Sequence, residues 1–302
     1  MNEFVNFTTQ NELNDLLVNA PNGTILVNSP LLQNRPFPSK LAVGSDFDGT
    51  GTNFLGGQQT SWQEVKRLER GLISQEGVAA MDNDYDRWGK DTSYEGQLAW
   101  ADHTYKIYHD NGVTRNQLEQ IGRSLKLRNG FVELASGIIS RTGDLAVVTY
   151  GMDAVVRPCL EQTDQTIGLP STYYSYGISL YAEQINFEET DIPESDHIIS
   201  ANGVIPNSSR VLGANKDEYM LDFARAKGLD SNSIVFLGDA LVDLTAKSFG
   251  RGILIHHRES ERYSPTPEEV FNQSEYILVG HSLTPLQSLF LDLLQEQATT
   301  IN

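Results

Sequence analysis

The chain has one cysteine, Cys159, among 302 residues. No intrachain disulfide can form, which fits a reducing compartment. Positive charge is scarce as well: 22 Lys and Arg stand against 40 Asp and Glu, for a formal net charge of −18. That balance argues against a nucleic-acid-binding surface, which needs a basic footprint, and against attraction to an anionic membrane. No apolar run approaches the roughly 18 to 20 residues that cross a bilayer. The segment Met1-Asn2-Glu3-Phe4 lacks the basic region and apolar stretch of a signal peptide. The expectation is a cytoplasmic protein with neither a nucleic-acid polymer nor a membrane as partner. Its length allows one large domain or two modest ones, and no internal repeat or low-complexity run is present.

What is present centres on Asp46-Phe47-Asp48-Gly49-Thr50. The apolar run Leu41-Ala42-Val43-Gly44-Ser45 precedes it and reads as a buried strand entering a loop. Two carboxylates so close repel each other, and a divalent cation relieves that repulsion. Hard oxygen ligands suit Mg²⁺, and Gly49 permits a sharp turn with amides exposed to an anion. Taken alone, the pentapeptide also fits a solvated turn.

Around this loop the chain divides. Residues 1–39 read as an extension packed on the core or covering an edge, with a helix over Thr9–Val18, a strand over Gly23–Val27 and a proline-punctuated loop. Residues 54–130 read as helices. Capping boxes are expected at Ser61/Glu64, Thr92/Glu95 and Thr114/Gln117, and Gly112 is placed to end the second helix. These helices have the look of a separate cap domain of residues 54–130 inserted into a core of residues 40–53 and 131–302. Further along, Phe131, Leu134 and Ile138 mark another helix. Strand candidates follow at Leu145–Thr149, His197–Ala201, Ile234–Gly238, Gly252–His256 and Tyr276–Val279. Helices are expected at Met152–Gln162, Asp217–Lys227, Leu241–Phe249 and Leu283–Gln295. Such alternation implies an α/β fold, a Rossmann-like doubly wound parallel sheet with helices on both faces. The tyrosine-rich stretch 163–195 fits a helix, a hairpin or an ordered loop.

Ligands of open parallel sheets bind beyond the carboxyl ends of the strands. Asp46 and Asp48 follow the first core strand, and Thr149, Tyr150 and Gly151 end the next. Asp239 follows Gly238, Asp243 lies one helical turn on, and Lys216 stands behind the Gly213-Ala214-Asn215 turn. Each has an ordinary explanation: a helix cap for Thr149 or Asp239, a solvated charge for Lys216. Together they place a hydroxyl, a lysine and four carboxylates at one sheet edge. Phosphoryl transfer uses this set: one carboxylate attacks phosphorus, a second moves the proton, and cations and donors hold the phosphoryl oxygens.

These motifs resemble the haloacid dehalogenase superfamily of phosphatases. Asp46 to Thr50 is similar to its first motif, Val148-Thr149-Tyr150-Gly151 to its second, Lys216 in Asn-Lys-Asp to its third and Gly238 to Asp243 to its fourth. The helical insertion after the first motif, and Leu127-Arg128-Asn129-Gly130-Phe131 at its exit, resemble the branch of phosphoserine phosphatase and cytosolic pyrimidine 5′-nucleotidase. The resemblance implies Asp46 as nucleophile and metal ligand, and Asp48 as acid/base with its backbone carbonyl on the metal. Thr149, Tyr150, Gly151 and Lys216 are implied at the phosphate, with Asp239 on Mg²⁺ and Asp243 supporting it. Gly51 stands where relatives often carry an apolar residue, and no acidic cap residue matches the one that reads phosphoserine. Arg87, Trp88, Tyr94, Trp100 and His103 are candidate specificity residues, although rings at helical spacing also serve as core. The resulting expectation is Mg²⁺-dependent hydrolysis of a small phosphorylated metabolite. A phosphotransferase or phosphomutase, and a non-catalytic binder of phosphorylated ligands, are the alternatives.

Overall fold

The computed structural model of the protein describes residues 4–33, 40–52, 60–89, 91, 93–142, 144–167, 177–188, 197–206, 208, 210–240, 243, 251–257 and 266–290. Among the described residues, eight strands form one sheet. In chain order they are β1 (Phe4–Phe7), β2 (Ile25–Asn28), β3 (Ala42–Ser45), β4 (Leu145–Met152), β5 (Ile178–Glu183), β8 (Ile234–Gly238), β9 (Arg251–His256) and β10 (Tyr276–Val279). Their spatial order is β1-β2-β10-β9-β8-β3-β4-β5. All pairs are parallel except β2 with β10. From β3 the chain goes to β4 on one side and later to β8 on the other, so strand order reverses beside β3, where such sheets bind ligands.

Side chains alternate across the sheet. Val43, Val147, Val235 and Leu237 enter one buried cluster. Their neighbours Ala42, Ala146, Val148, Ile234 and Phe236 pack on the opposite face with Met220 and Phe223. Those two come from α9 (Lys216–Ala226). The other face carries α7 (Phe131–Thr142) and α8 (Asp153–Ile167). Both faces are covered, hence the near-continuous apolar strands.

Residues 1–39 do more than cover an edge, because β1 and β2 extend the main sheet. The helix between them, α1 (Gln10–Asn19), is closed by a Thr9/Glu12 capping box and buries Leu13 and Leu17, and a short α2 (Ser29–Gln33) follows β2. These two residues join Phe7, Leu26, Leu254 and Ile277 in an apolar cluster of their own. Val270 of α10 (Pro267–Gln273) completes its cover.

Between β3 and β4 stand α3 (Ser61–Val65), α4 (Gln75–Asp84), a π-helical turn (Tyr85–Gly89), α5 (Tyr94–Asp110) and α6 (Arg115–Ser124). The Thr114/Gln117 box caps α6 as its spacing predicts, and Gly112 adopts φ +67° just beyond α5. Two expected caps are displaced by one residue. Thr60 with Gln63, not Ser61 with Glu64, closes α3, which frees the Ser61 hydroxyl. Ser93, not Thr92, caps α5 by accepting from the Gly96 amide, and Thr92 itself lies outside the described residues. Adjacent hydroxyls make such boxes ambiguous in sequence, because either can satisfy the same free amides.

The stretch 163–195 contains β5, the edge strand of the main sheet. The strand expected at His197–Ala201 is not part of that sheet. It appears as β7 (Ile199–Val204), paired antiparallel with β6 (Ile185–Phe187), and this ribbon packs on α5. The Ile199 amide donates to Val113 and the Arg115 amide to His197, so the ribbon is stitched to the turn before α6. Alternating apolar residues cannot say which sheet a strand joins. The expected helix at 241–249 falls outside the described residues apart from Asp243. The C-terminal helix, α11, is described over residues 284–290. Among the described residues no helix is long and apolar enough to cross a membrane.

Candidate active site

The loop after β3 carries Asp46 and the loop after β8 carries Asp239 and Asp243. The two strands are paired in register, Ser45 beside Leu237. Oxygens of Asp46, Asp239 and Asp243 all lie within 4.8 Å of one another, and all three residues are buried. Lys216 Nζ donates to Asp46 Oδ1 and to Asp243 Oδ1, each at 2.6 Å. Asp243 Oδ2 accepts the amides of Asp239 and Ala240 at 3.2 and 3.1 Å. Thr50 Oγ1 donates to Asp239 Oδ1 at 3.2 Å.

Two glycines permit this crowding. Gly49 turns with φ +84°, and a Cβ there would overlap the Asp239 carboxylate. Gly44, inside β3, leaves room for the Met220 thioether, which a side chain would displace. Met220 belongs to α9, so this close approach carries the first residue of that helix, Lys216, to the strand end. A lysine opening a helix works against the helix dipole, and here the carboxylates supply the compensation.

Burial is the dominant electrostatic influence. It pushes the Asp46 carboxyl well above its ordinary value, against the pull of Lys216 and with the repulsion of Asp243 and Asp239. Asp239 is raised to about 7, by burial first and by Asp243 second. Burial alone would lower the Lys216 ammonium, but Asp243 and Asp46 more than reverse it, so that group stays charged. Three buried carboxylates share one buried ammonium, and a hard cation with oxygen ligands suits what remains. The donor set fits Mg²⁺.

Asp48 is buried deeply enough to raise its carboxyl, while its bonds to Ser61 draw it back. Ser61 donates its amide to Asp48 Oδ1 at 2.8 Å and its hydroxyl to Asp48 Oδ2 at 2.6 Å. Thr149 is buried, and its hydroxyl accepts the Gly151 amide at 3.0 Å. Gly151 lies against both Ser61 and Thr149, since a Cβ there would stand 3.1 Å from one hydroxyl and 3.3 Å from the other. The Tyr150 hydroxyl donates to the Gln97 carbonyl on α5 at 2.6 Å.

The five candidate specificity residues separate. Trp100 packs in an aromatic cluster, 5.1 Å from Trp62 and 5.3 Å from Tyr150 between ring centroids. His103 pairs with Asp84 and meets Trp88 edge-on. Arg87 lies over the Trp88 ring, and Tyr94 is exposed at the start of α5.

Two residues gain importance only in three dimensions. Ser61 looked like a helix cap and is instead the partner of Asp48. Arg128, part of the stretch at the exit of the insertion, is 1% exposed. Its guanidinium donates to the carbonyls of Gly49, Thr50 and Gly280 and touches His257, and its amide donates to Gly51. Burial lowers it to about 10, with Asp239 opposing, so it remains a cation under the loop. Burial and Arg128 push His257 down to about 3, leaving it neutral. An arginine beside an asparagine-glycine turn gives no local sign of this burial.

The insertion is fastened over the same edge. Trp62 Nε1 donates to the Tyr150 carbonyl at 3.1 Å, and Gln97 Oε1 accepts the Ala214 amide at 2.8 Å. Arg210 bridges Asp102 of α5 and the buried Glu183 of β5, at 2.7 Å each.

No family model matches the sequence, and no curated protein does. Solved structures match in shape. Cytosolic 5′-nucleotidase IIIB bound to cytidine aligns with TM-score 0.58 and 15% identity over 87% of this chain and 88% of that one. A haloacid dehalogenase family hydrolase from Salmonella enterica serovar Typhi gives 0.57 and 16% over 86% and 72%. A phospho-aspartyl intermediate analogue of phosphoserine phosphatase gives 0.52 and 16% over 83% and 98%. The chain therefore has the fold of these phosphatases.

Proposed function

We propose that the protein is a Mg²⁺-dependent phosphomonoester hydrolase that acts on a small phosphorylated metabolite through an aspartyl-phosphate. The observation that carries this reading is the buried cluster of Asp46, Asp239 and Asp243 at the carboxyl edge of the sheet, with Lys216 bridging Asp46 and Asp243. The fold it shares with a 5′-nucleotidase and with phosphoserine phosphatases agrees with it.

In this reading Asp46, the backbone carbonyl of Asp48, Asp239 and Asp243 hold or support Mg²⁺, which neutralises charge on the phosphoryl oxygens. Asp46 attacks phosphorus in line, forming the P–O bond of the aspartyl-phosphate as the ester P–O bond breaks. Asp48 delivers its proton to the departing oxygen, then takes one from the water that hydrolyses the acyl phosphate. Lys216, Thr149, Tyr150 and Gly151 line the phosphate, with Lys216 moving from its partner on Asp46 to the incoming anion. Residues 54–130 form a cap that selects the substrate over a core of 40–53 and 131–302, with 1–39 packed on that core. The aromatic content of the cap favours a nucleoside or sugar monophosphate over phosphoserine.

The test is a panel of phosphorylated metabolites scored by released phosphate, with Mg²⁺ and with EDTA. Release that requires Mg²⁺ is expected for at least one monoester. A transfer product in place of free phosphate would point to a phosphotransferase, and no turnover of any ester would remove the enzyme reading.

A further inference from the structure

We infer that Ser61 is a positioning residue for proton transfer, holding the Asp48 carboxylate so that seating of the insertion and aiming of the acid/base group are one event. This rests on the hydrolase reading above. Ser61 is wholly buried and meets both oxygens of Asp48, at 2.8 Å through its amide and at 2.6 Å through its hydroxyl. Two bonds from one residue fix a carboxylate in rotation as well as in place. Each carboxylate oxygen has two acceptor sites, so the grip leaves one on each for a leaving oxygen or an attacking water.

The grip comes from the insertion rather than from the loop that carries Asp48. Ser61 is the first residue of α3, and the Thr60/Gln63 box already satisfies that helix start. The serine hydroxyl is thus not needed as a cap. The helix is held from three directions. Trp62 donates to the Tyr150 carbonyl and packs with ring centroids within 5.5 Å of Trp100, Tyr105 and Tyr150. Glu64, also buried, accepts from Arg67 and Arg70. Val65 is buried in the core. Whatever unseats α3 withdraws Ser61 and releases Asp48.

The experiment compares Ser61→Ala with wild type on two aryl esters of one ring, phenyl phosphate and 4-nitrophenyl phosphate. Nitrophenolate departs without a proton, whereas phenolate leaves far better when protonated. General acid catalysis contributes about 10²–10⁴-fold where it is needed. A misaimed Asp48 should therefore lower the phenyl to nitrophenyl ratio of kcat by about tenfold, with KM for both esters little changed. A merely structural role would lower both rates together and leave the ratio alone. Ser61→Gly, which also lacks the hydroxyl, repeats the measurement should the alanine variant fail to fold. An unmoved ratio in a folded variant overturns the role of Ser61 while the hydrolase reading stands. Wild type inactive on both esters with Mg²⁺ present, and on the metabolite panel, removes that reading and the positioning role with it.

Discussion

The two halves of the sheet differ in how densely charge is buried. Around β1, β2 and β10 an apolar cluster of Phe7, Leu13, Leu26 and Ile277 is buried, and the buried carboxylate beside it, Glu275, accepts the Gly252 amide. Around the ends of β3 and β8 the buried residues include three carboxylates and a lysine. The first half follows the ordinary rule that apolar area removed from water stabilises the fold. The second is stabilised only in combination, since each charge there is costly without its partners. Stability and chemistry should therefore respond to different substitutions, and the following measurements try to break that separation.

The largest expected effect is that of Asp46→Asn, which is nearly isosteric and removes the nucleophile. Phosphate release should fall by about three orders of magnitude or more, while the thermal midpoint without metal stays level or rises because a buried carboxyl is neutralised. Turnover close to wild type, in protein free of wild-type contamination, would remove the assignment. Lys216→Ala comes next. It should lower kcat by about 10²–10³-fold and, by leaving Asp46 and Asp243 unpaired, cost about 3–5 kcal/mol in urea unfolding. A variant that keeps its stability would contradict the shared-cation account.

Smaller is the effect of pH on metal activation. Asp239 is raised to about 7 without metal. A carboxyl raised above its unfolded value favours the folded state at low pH, and that contribution is lost as pH rises through 7. Bound Mg²⁺ requires the carboxylate. The Mg²⁺-induced rise in thermal midpoint should therefore grow from pH 6.5 to pH 8, and the Mg²⁺ concentration for half activation should fall by up to about tenfold per pH unit. His257 pulls the other way only at lower pH. Its lowered value makes stability fall as pH drops from its unfolded range toward 3, so the window above 6.5 isolates the carboxylates. A midpoint shift independent of pH there would count against the cluster as the metal site.

The smallest effect on turnover is expected from Leu13→Ala. It opens a cavity in the apolar half and should cost about 2–5 kcal/mol in denaturant unfolding, with kcat per folded molecule unchanged. A loss of kcat as large as that of stability would show that the two halves are mechanically coupled.

Much of this was legible in one dimension. The runs before Asp46 and before Asp239 are buried strands, because apolar residues ended by glycine leave few other options. Thr114 and Gln117 cap a helix through contacts three residues apart. Asp46, Asp239, Asp243 and Lys216 could be gathered by the rule that parallel strands present their carboxyl ends to ligands. All of these depend on neighbours in sequence or on the direction of a strand.

What only the tertiary structure decided depends on which distant atoms compete for the same place. Ser61 has the spacing of a helix cap, but the fold gives the cap to Thr60 and places the Asp48 carboxylate beside Ser61. Arg128 is a charged residue next to a turn, and its burial follows from three carbonyls converging on it from Gly49, Thr50 and Gly280. Ile199–Val204 has a strand's composition, but its partner is β6 rather than the main sheet because the Val113 carbonyl and α5 hold it away. Local composition sets what a segment can form. The choice among equal local solutions is made by desolvation and hydrogen bonding between residues far apart in the chain.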